Sequence, residues 1–236
     1  MRQAPRLAVA LDVDNHAAAV RAAVALRGHA DVAKVGLELF ISAGPRLVEE
    51  LVSTGWAVFL DLKLHDIPAT VAGAVRSAAS LGVELMTLHT AGGRRMLEAA
   101  AAARDSGVPR LLGVTVLTSL DSAEIDEVGL RGGTDESVAR LANLAYEAGC
   151  DGVVSSPHEV ATIKAAHGDD FLVVTPGIRP AGASTDDQAR VATAADAVGA
   201  GADILVVGRP IMKAPDPAAA ADAIRAEMEQ AHDRRS

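Results

Sequence analysis

Aromatic residues are almost missing from this chain. Its 236 residues include three Phe, one Trp and one Tyr, about 2%. A binder of single-stranded nucleic acid needs stacking platforms in a basic groove. The platforms are absent here, and the net charge of −9 has the wrong sign for a polyanionic partner. A small phosphate remains possible, because a few local donors suffice to hold one. Cysteine is nearly absent as well. Cys150 stands alone, which excludes an intrachain disulfide and leaves too few thiols for a metal site. Within Ala148-Gly149-Cys150-Asp151-Gly152 it reads as a small buried hydrophobe. Long apolar runs are also missing. None approaches the roughly 20 residues needed to cross a bilayer, and the first six residues offer no signal core. These absences predict a cytoplasmic protein with neither nucleic acid nor membrane as partner.

What is present is an aliphatic chain. Half of the residues are hydrophobic and 22% are charged, which excludes disorder. A chain of this size buries roughly 70–75% of its unfolded surface, so it needs no staple. With so few aromatics, the core must come from Ala, Val, Leu and Ile. Short β-rich runs recur at 7–11, 32–35, 56–60, 83–88, 111–117, 152–154, 171–175 and 204–207. Ala-rich helical stretches follow them at 15–27, 45–54, 68–81, 94–106, 136–148, 157–166, 186–198 and 217–229. Pro45, Pro68 and Pro157 mark helix starts. The strands are continuous apolar runs, as parallel strands covered on both faces require.

About eight βα units of about 29 residues each predict an α/β fold, a (β/α)8 TIM barrel forming one domain over residues 1–236. The alternative is an open doubly wound sheet. Such a sheet often carries a Gly-rich first turn, whereas this one reads Leu11-Asp12-Val13-Asp14-Asn15. Residues 118–134 are too long for an ordinary connection and predict an irregular, mobile lid.

In a barrel the active site lies at the C-terminal strand ends. Those ends hold Asp12, Lys34, Asp61 with Lys63, His89, Thr118 with Ser119, Ser155 with Ser156, Arg179 and Arg209. A lysine in or just after a core strand is costly unless paired. The densest cluster is Asp61-Leu62-Lys63-Leu64-His65-Asp66. Asp61 and Lys63 lie two apart and point to one side of an extended chain. With Asp66 they make a carboxylate–ammonium–carboxylate alternation that favours a charged Lys63. A charged lysine is unsuited to Schiff-base chemistry, which needs a neutral amine. It suits a proton donor or a fixed positive charge. The alternative is a structural ion network that closes the barrel mouth.

A second cluster pairs Thr175-Pro176-Gly177-Ile178-Arg179-Pro180 with Val207-Gly208-Arg209-Pro210. These segments follow strands seven and eight, where barrels commonly hold phosphate. Each offers a glycine for close backbone approach and an arginine for forked contact. Gln188 could add an amide. Two ordinary surface arginines beside turn glycines are the alternative. His65 points away from Asp61 and Lys63 by alternation, and His89 reads as a residue that orders loops. No His, Cys and carboxylate set has zinc spacing.

Together and in order these segments resemble the orotidine 5′-phosphate decarboxylase family, from residue 7 to 217. They include Lys34-Val35-Gly36-Leu37-Glu38, Asp61-Leu62-Lys63-Leu64-His65-Asp66-Ile67-Pro68, Asp187-Gln188-Ala189-Arg190 and Val207-Gly208-Arg209-Pro210. The Asp-x-Lys-x-x-Asp core is shared with the sugar-phosphate relatives 3-keto-L-gulonate 6-phosphate decarboxylase and hexulose 6-phosphate synthase. Those relatives place a magnesium-binding glutamate at the end of strand two, where this chain has Lys34. Ser155-Ser156, where a cysteine is frequent, and Ala192-Thr193-Ala194 depart mildly from the pattern.

The resemblance implies decarboxylation of orotidine 5′-phosphate with no metal or organic cofactor. It implies that Asp12 and Lys34 bind the ribose and that Asp61 lies beside the substrate carboxylate. Lys63 would give a proton to C6, and Thr118 and Ser119 would touch the pyrimidine. Arg179, Gln188, Gly208 and Arg209 would hold the phosphate. Asp66, Ile67 and Thr70 would reach into a partner's site, which implies a homodimer.

Overall fold

The apolar runs become eight parallel strands that close on themselves. The computed structural model describes residues 4–179 and 192–235. The strands β1 (Arg6–Ala10), β2 (Val32–Gly36), β3 (Ala57–Leu64), β4 (Leu85–His89), β5 (Arg110–Val114), β6 (Gly152–Val154), β7 (Leu172–Thr175) and β8 (Ile204–Val207) pair in chain order. β8 pairs back onto β1 through Arg6↔Ile204 to Val9↔Val207. Around them lie α1 (His16–Ala25), α2 (Leu37–Ser53), α3 (Pro68–Ser80), α4 (Arg94–Ala102), α5 (Ser122–Glu127), α6 (Thr134–Glu147), α7 (Val160–His167), α8 (Ala194–Ala200), α9 (Arg209–Met212) and α10 (Pro217–Asp233). The closed barrel excludes the open doubly wound sheet. No helix among the described residues is long and apolar enough to cross a membrane.

Side chains on a strand alternate between its two faces, and this alternation builds two cores. Ala8, Ala10, Val32, Phe59, Leu85, Leu112, Val174, Ile204 and Val206 fill the barrel. Their sequence neighbours Leu7, Val9, Ala33, Val58, Leu60, Leu111, Val173, Leu205 and Val207 face the helices. Phe59 is the one aromatic among the buried interior residues. Small aliphatic side chains suit this narrow space, where each buried Val, Leu or Phe contributes about 1.5–3 kcal/mol. Gly152 opens β6 because β7 passes against it. A Cβ there would stand 2.3 Å from the Leu172 carbonyl oxygen.

Three elements differ from the expectations drawn from sequence. The second helix begins at Leu37, not at Pro45. Its early turns meet the Pro45 stretch at Gly44, which takes φ 69° so that the chain can kink and restart. Residues 118–134 are not irregular throughout, because α5 forms inside them. Asp121 accepts from the Glu124 backbone N–H, and Glu124 returns a carboxylate to the Asp121 N–H. That reciprocal capping box holds a short helix in place. The sequence places a helical stretch over 186–198, which corresponds to α8. It runs over Ala194–Ala200, and residues 186–191 lie outside the described residues.

Candidate active site

On β1, β2, β3 and β8 the inward alternation continues past the interior core into a cavity at the C-terminal rim. Ala8 and Ala10 lead to Asp12, Val32 leads to Lys34, Phe59 leads to Asp61, and Ile204 and Val206 lead to Gly208. The cavity encloses about 510 Å³. Its charged lining comprises Asp12, Lys34, Asp61 and Lys63 from the first three strands, and Arg179, Arg209 and Lys213 with Gly208 from the segments after the last two. Val114, Val116, Leu117, Val154 and Val206 add apolar lining, and Thr118 lines the cavity as well. Such a lining, part apolar and part convergent charge with five basic side chains against two carboxylates, suits a small anionic ligand.

Strand register decides which charges meet. Lys34 stands level with Ala10 on β1 and with Phe59 on β3. Asp12 and Asp61 are each two residues further along, so they flank the Lys34 ammonium. Its Nζ lies 3.6 Å from Asp12 Oδ1 and 3.6 Å from Asp61 Oδ2. The other Asp61 oxygen, Oδ1, accepts from Lys63 Nζ at 2.9 Å and from the Thr87 hydroxyl at 2.9 Å. The result is a row of alternating sign, Asp12–Lys34–Asp61–Lys63. A lysine as buried as Lys34, 8% exposed, would be costly alone. Here each opposite-charge contact near 4 Å contributes on the order of 4 kcal/mol before desolvation, at an effective dielectric of about 20. Burial alone would raise the Asp61 carboxyl. Lys34, Lys63 and the two hydrogen bonds outweigh burial and hold it below the ordinary 3.8.

Lys63 reaches this row by an unusual path. It is the one non-glycine residue with positive φ among the described residues, at 51°. The β3–β4 register shifts between Leu60 and Leu64, as a bulge re-aims a side chain beside a functional site. A left-handed conformation costs a lysine about 1–2 kcal/mol. The neighbouring strand over-determines it, because the Lys63 N–H donates to Thr87 Oγ1 at 2.8 Å.

Asp66 departs from the alternation read in the sequence. It is exposed, and it pairs with neither lysine of its own chain. Its Oδ1 accepts from the Ile67 N–H at 2.6 Å. The turn that follows β3 carries it away from the cavity, together with Ile67, which is 67% exposed, and Thr70. The second partner of Asp61 is therefore Lys34, which the local Asp61-x-Lys63-x-x-Asp66 spacing did not indicate. Ser119 is exposed and does not line the cavity, unlike its neighbour Thr118. Gln188 lies outside the described residues.

Arg179 is buried, and its Nη1 donates to the Ile178 carbonyl at 2.9 Å. Gly208 lies against Asp12: a Cβ there would stand 2.8 Å from Asp12 Oδ2 and push that carboxylate aside. Two residues of the site do not stand out in the sequence, Lys213 on the cavity lining and Thr87 bonded to Asp61 and Lys63. Lys213 sits four residues beyond Arg209, one helical turn away on the same face. That spacing was a usable signal. Thr87 lies inward on β4, two residues beyond Leu85, and looks like an ordinary strand threonine. His89 packs its ring 5.7 Å from that of His65. Burial, then His65 and Lys63, push it below the ordinary histidine value. Among the described residues no group of three or more His, Cys, Asp or Glu is placed to hold a metal ion.

Known proteins match this chain along nearly its whole length. The family profile described as "Orotidine 5'-phosphate decarboxylase / HUMPS family" matches residues 5–224. A protein from Anaeromyxobacter sp. (strain K) named orotidine 5′-phosphate decarboxylase is 56% identical over 226 residues, 96% of this chain and 99% of its own length. A protein of the same name from Halorhodospira halophila is 57% identical over 226 residues, covering 95% and 96%. The crystal structure of orotidine 5′-phosphate decarboxylase from Lactobacillus acidophilus superposes with TM-score 0.84 at 41% identity, covering 96% of this chain and 99% of that one.

Proposed function

This chain belongs to the orotidine 5′-phosphate decarboxylase / HUMPS family, and from that premise we propose that it removes carbon dioxide from orotidine 5′-phosphate to give uridine 5′-phosphate. The observation that carries the reading is the alternating row Asp12–Lys34–Asp61–Lys63, which lines one cavity together with Arg179 and Arg209. The row sums to no net charge, and its least exposed members, Lys34 and Asp61, balance each other. The anionic tail of a nucleotide is left to the arginines and Lys213.

The chemistry follows from that division. Departure of carbon dioxide leaves an electron pair on C6 of the pyrimidine, an sp² carbon with no electron sink. Preorganised charge is the means to favour it. The Lys63 ammonium has three donors, and one is used on Asp61. Those remaining can face the carbanion and deliver its proton. Asp61 lies beside the substrate carboxylate, and it also fixes the Lys63 ammonium. Asp12 and Lys34 meet the ribose hydroxyls. Arg179, Gln188, Gly208 and Arg209 take the phosphate, and closure of the 118–134 segment brings Thr118 and Ser119 onto the pyrimidine. Binding energy at the phosphate then serves the reacting centre through that closure. Asp66 and Ile67, exposed on the turn after β3, and Thr70, exposed in the first turn of α3, complete the site of a second copy in a homodimer. The reaction draws on no metal or organic cofactor, and its place is the cytoplasm.

Lys34 supports this reading over the magnesium-dependent sugar-phosphate side of the family, which needs a carboxylate there. The test is turnover of orotidine 5′-phosphate followed spectrophotometrically. Lys63→Ala is expected to lower kcat by about 10³-fold or more, as loss of a preorganised charge at the reacting centre does. Wild-type turnover by that variant would remove Lys63 from the mechanism. Exhaustive chelation is expected to leave the wild-type rate unchanged, and loss of activity would favour the metal-dependent relatives.

A further inference from the structure

Thr87 belongs to neither rank of charged residues, yet it touches both halves of the Asp61–Lys63 pair. It lies on β4, facing inward, and it is wholly buried. Its hydroxyl has one proton to give and lone pairs to receive. An ionised Asp61 can only accept, so the proton goes to Asp61 Oδ1 at 2.9 Å. The lone pair receives the Lys63 N–H at 2.8 Å. Lys63 Nζ donates to the same Oδ1 at 2.9 Å. The three residues close a ring: Lys63 backbone to Thr87, Thr87 to Asp61, Asp61 to the Lys63 ammonium.

The ring sits where the β3–β4 ladder is interrupted. The register shift between Leu60 and Leu64 leaves the Lys63 N–H without its ordinary strand partner, and a buried N–H must find another acceptor. Thr87 supplies it. The same contact holds Lys63 at φ 51°, a conformation that lysine does not keep unaided.

We propose that Thr87 is the positioning residue of the site: its hydroxyl sets the Lys63 backbone twist and the Asp61 rotamer together, and so aims the ammonium at the reacting carbon. This rests on the proposed role of Lys63. A neighbouring aliphatic side chain would fill the space equally well and would set neither group.

The variants are Thr87→Val, which keeps the shape and removes the hydroxyl, and Thr87→Ser, which keeps the hydroxyl and removes a methyl. Steady-state kinetics with orotidine 5′-phosphate, thermal unfolding and the pH profile of kcat are measured on each. Thr87→Val is expected to lower kcat about 10²-fold, the scale of a misplacement near 1 Å. KM should stay within a few-fold, because the phosphate contacts are untouched. The acid limb of its profile should move to higher pH, because the Asp61 carboxylate has lost a donor. Thr87→Ser is expected to restore kcat to within a few-fold of wild type.

Should Thr87→Val not fold, Thr87→Ala is read in its place, with Thr87→Ser as the folded reference. Wild-type kcat in a folded variant lacking the hydroxyl would overturn the proposal. So would a Thr87→Ser variant that loses kcat as much as Thr87→Val, which would show packing at work. If Lys63→Ala turns over normally, the reading of the site itself fails. If Lys63→Ala is inactive and Thr87→Val is normal, the positioning role alone fails.

Discussion

At the N-terminal rim of the barrel Asp31, Asp151 and Asp203 each accept from the backbone N–H of the second residue of a neighbouring strand. The donors are Leu7, Leu111 and Val173, at 2.8, 2.7 and 2.6 Å. Each carboxylate also meets one basic side chain: Arg225 for Asp31, Arg104 for Asp151 and Lys164 for Asp203. At the C-terminal rim Asp12 and Asp61 meet lysines as well, but neither accepts from a strand N–H. Lys34 lies between two carboxylates and Asp61 between two ammonium groups. The lower rim spends its carboxylates on the ends of the ladder, one to one, and pins strand starts together. The upper rim shares its charges along a row and leaves lysine donors facing a cavity. The same residue types at strand ends therefore mean different things. What separates them is whether backbone or open space receives the polar atoms.

One substitution made on both rims tests that contrast. Asp61→Asn is expected to lower kcat by about 10³-fold, the upper range for losing one preorganised electrostatic contact, while the protein stays folded. Asp203→Asn should leave the kcat of the folded protein unchanged. It strips the buried Lys164 of its counter-ion, which costs about 3 kcal/mol of stability, or roughly 6–12 °C in Tm. Steady-state kinetics and thermal unfolding of the two variants read both effects. A loss of activity in folded Asp203→Asn would break the comparison.

A smaller effect sharpens it. Lys213→Ala on the cavity wall is expected to raise KM about tenfold with little change in kcat, as loss of one charge-assisted contact to a bound anion does. Initial rates over a range of substrate concentration measure it.

The smallest effect is on pH dependence. Burial is the chief cause that lowers His89, on the upper rim, and His167, beside the lower one, below the ordinary 6.5. The unfolded chain therefore takes up protons that the folded chain refuses, and stability falls as pH drops below 6.5. Asp61 acts in a lower window. Its contribution is present above 3.8 and is lost as pH falls through its lower folded value. Denaturation midpoints measured from about pH 7 to about pH 5 should decline, and His89→Gln should flatten part of that slope.

Much of this was legible in the residues. Apolar runs of five or so, separated by Ala-rich stretches, specify parallel strands buried on both faces, and their number fits a closed barrel. Polar residues at the ends of those runs named most of the cavity wall. The capping box in Asp121-Ser122-Ala123-Glu124 was also written in the chain, although the loop around it reads as irregular. Lys213 was readable from its helical spacing to Arg209. Asp66 was misleading for a physical reason: spacing along one strand says which face a side chain shares, and the chain turns away before Asp66 is reached.

The sequence by itself determined the βα units, the small aliphatic filling of the barrel and the supply of aspartates, lysines and arginines at the strand ends. Those follow from local periodicity and residue type. Tertiary structure decided which charge meets which. Asp12, Lys34 and Asp61 come from three strands and are set side by side only by the register of β1, β2 and β3. The left-handed turn of Lys63, and the Thr87 hydroxyl that receives its N–H, exist only because β4 lies against a bulge in β3. A lysine does not keep that conformation in an isolated strand. The strand packed beside it must supply the hydrogen bond that makes the conformation stable.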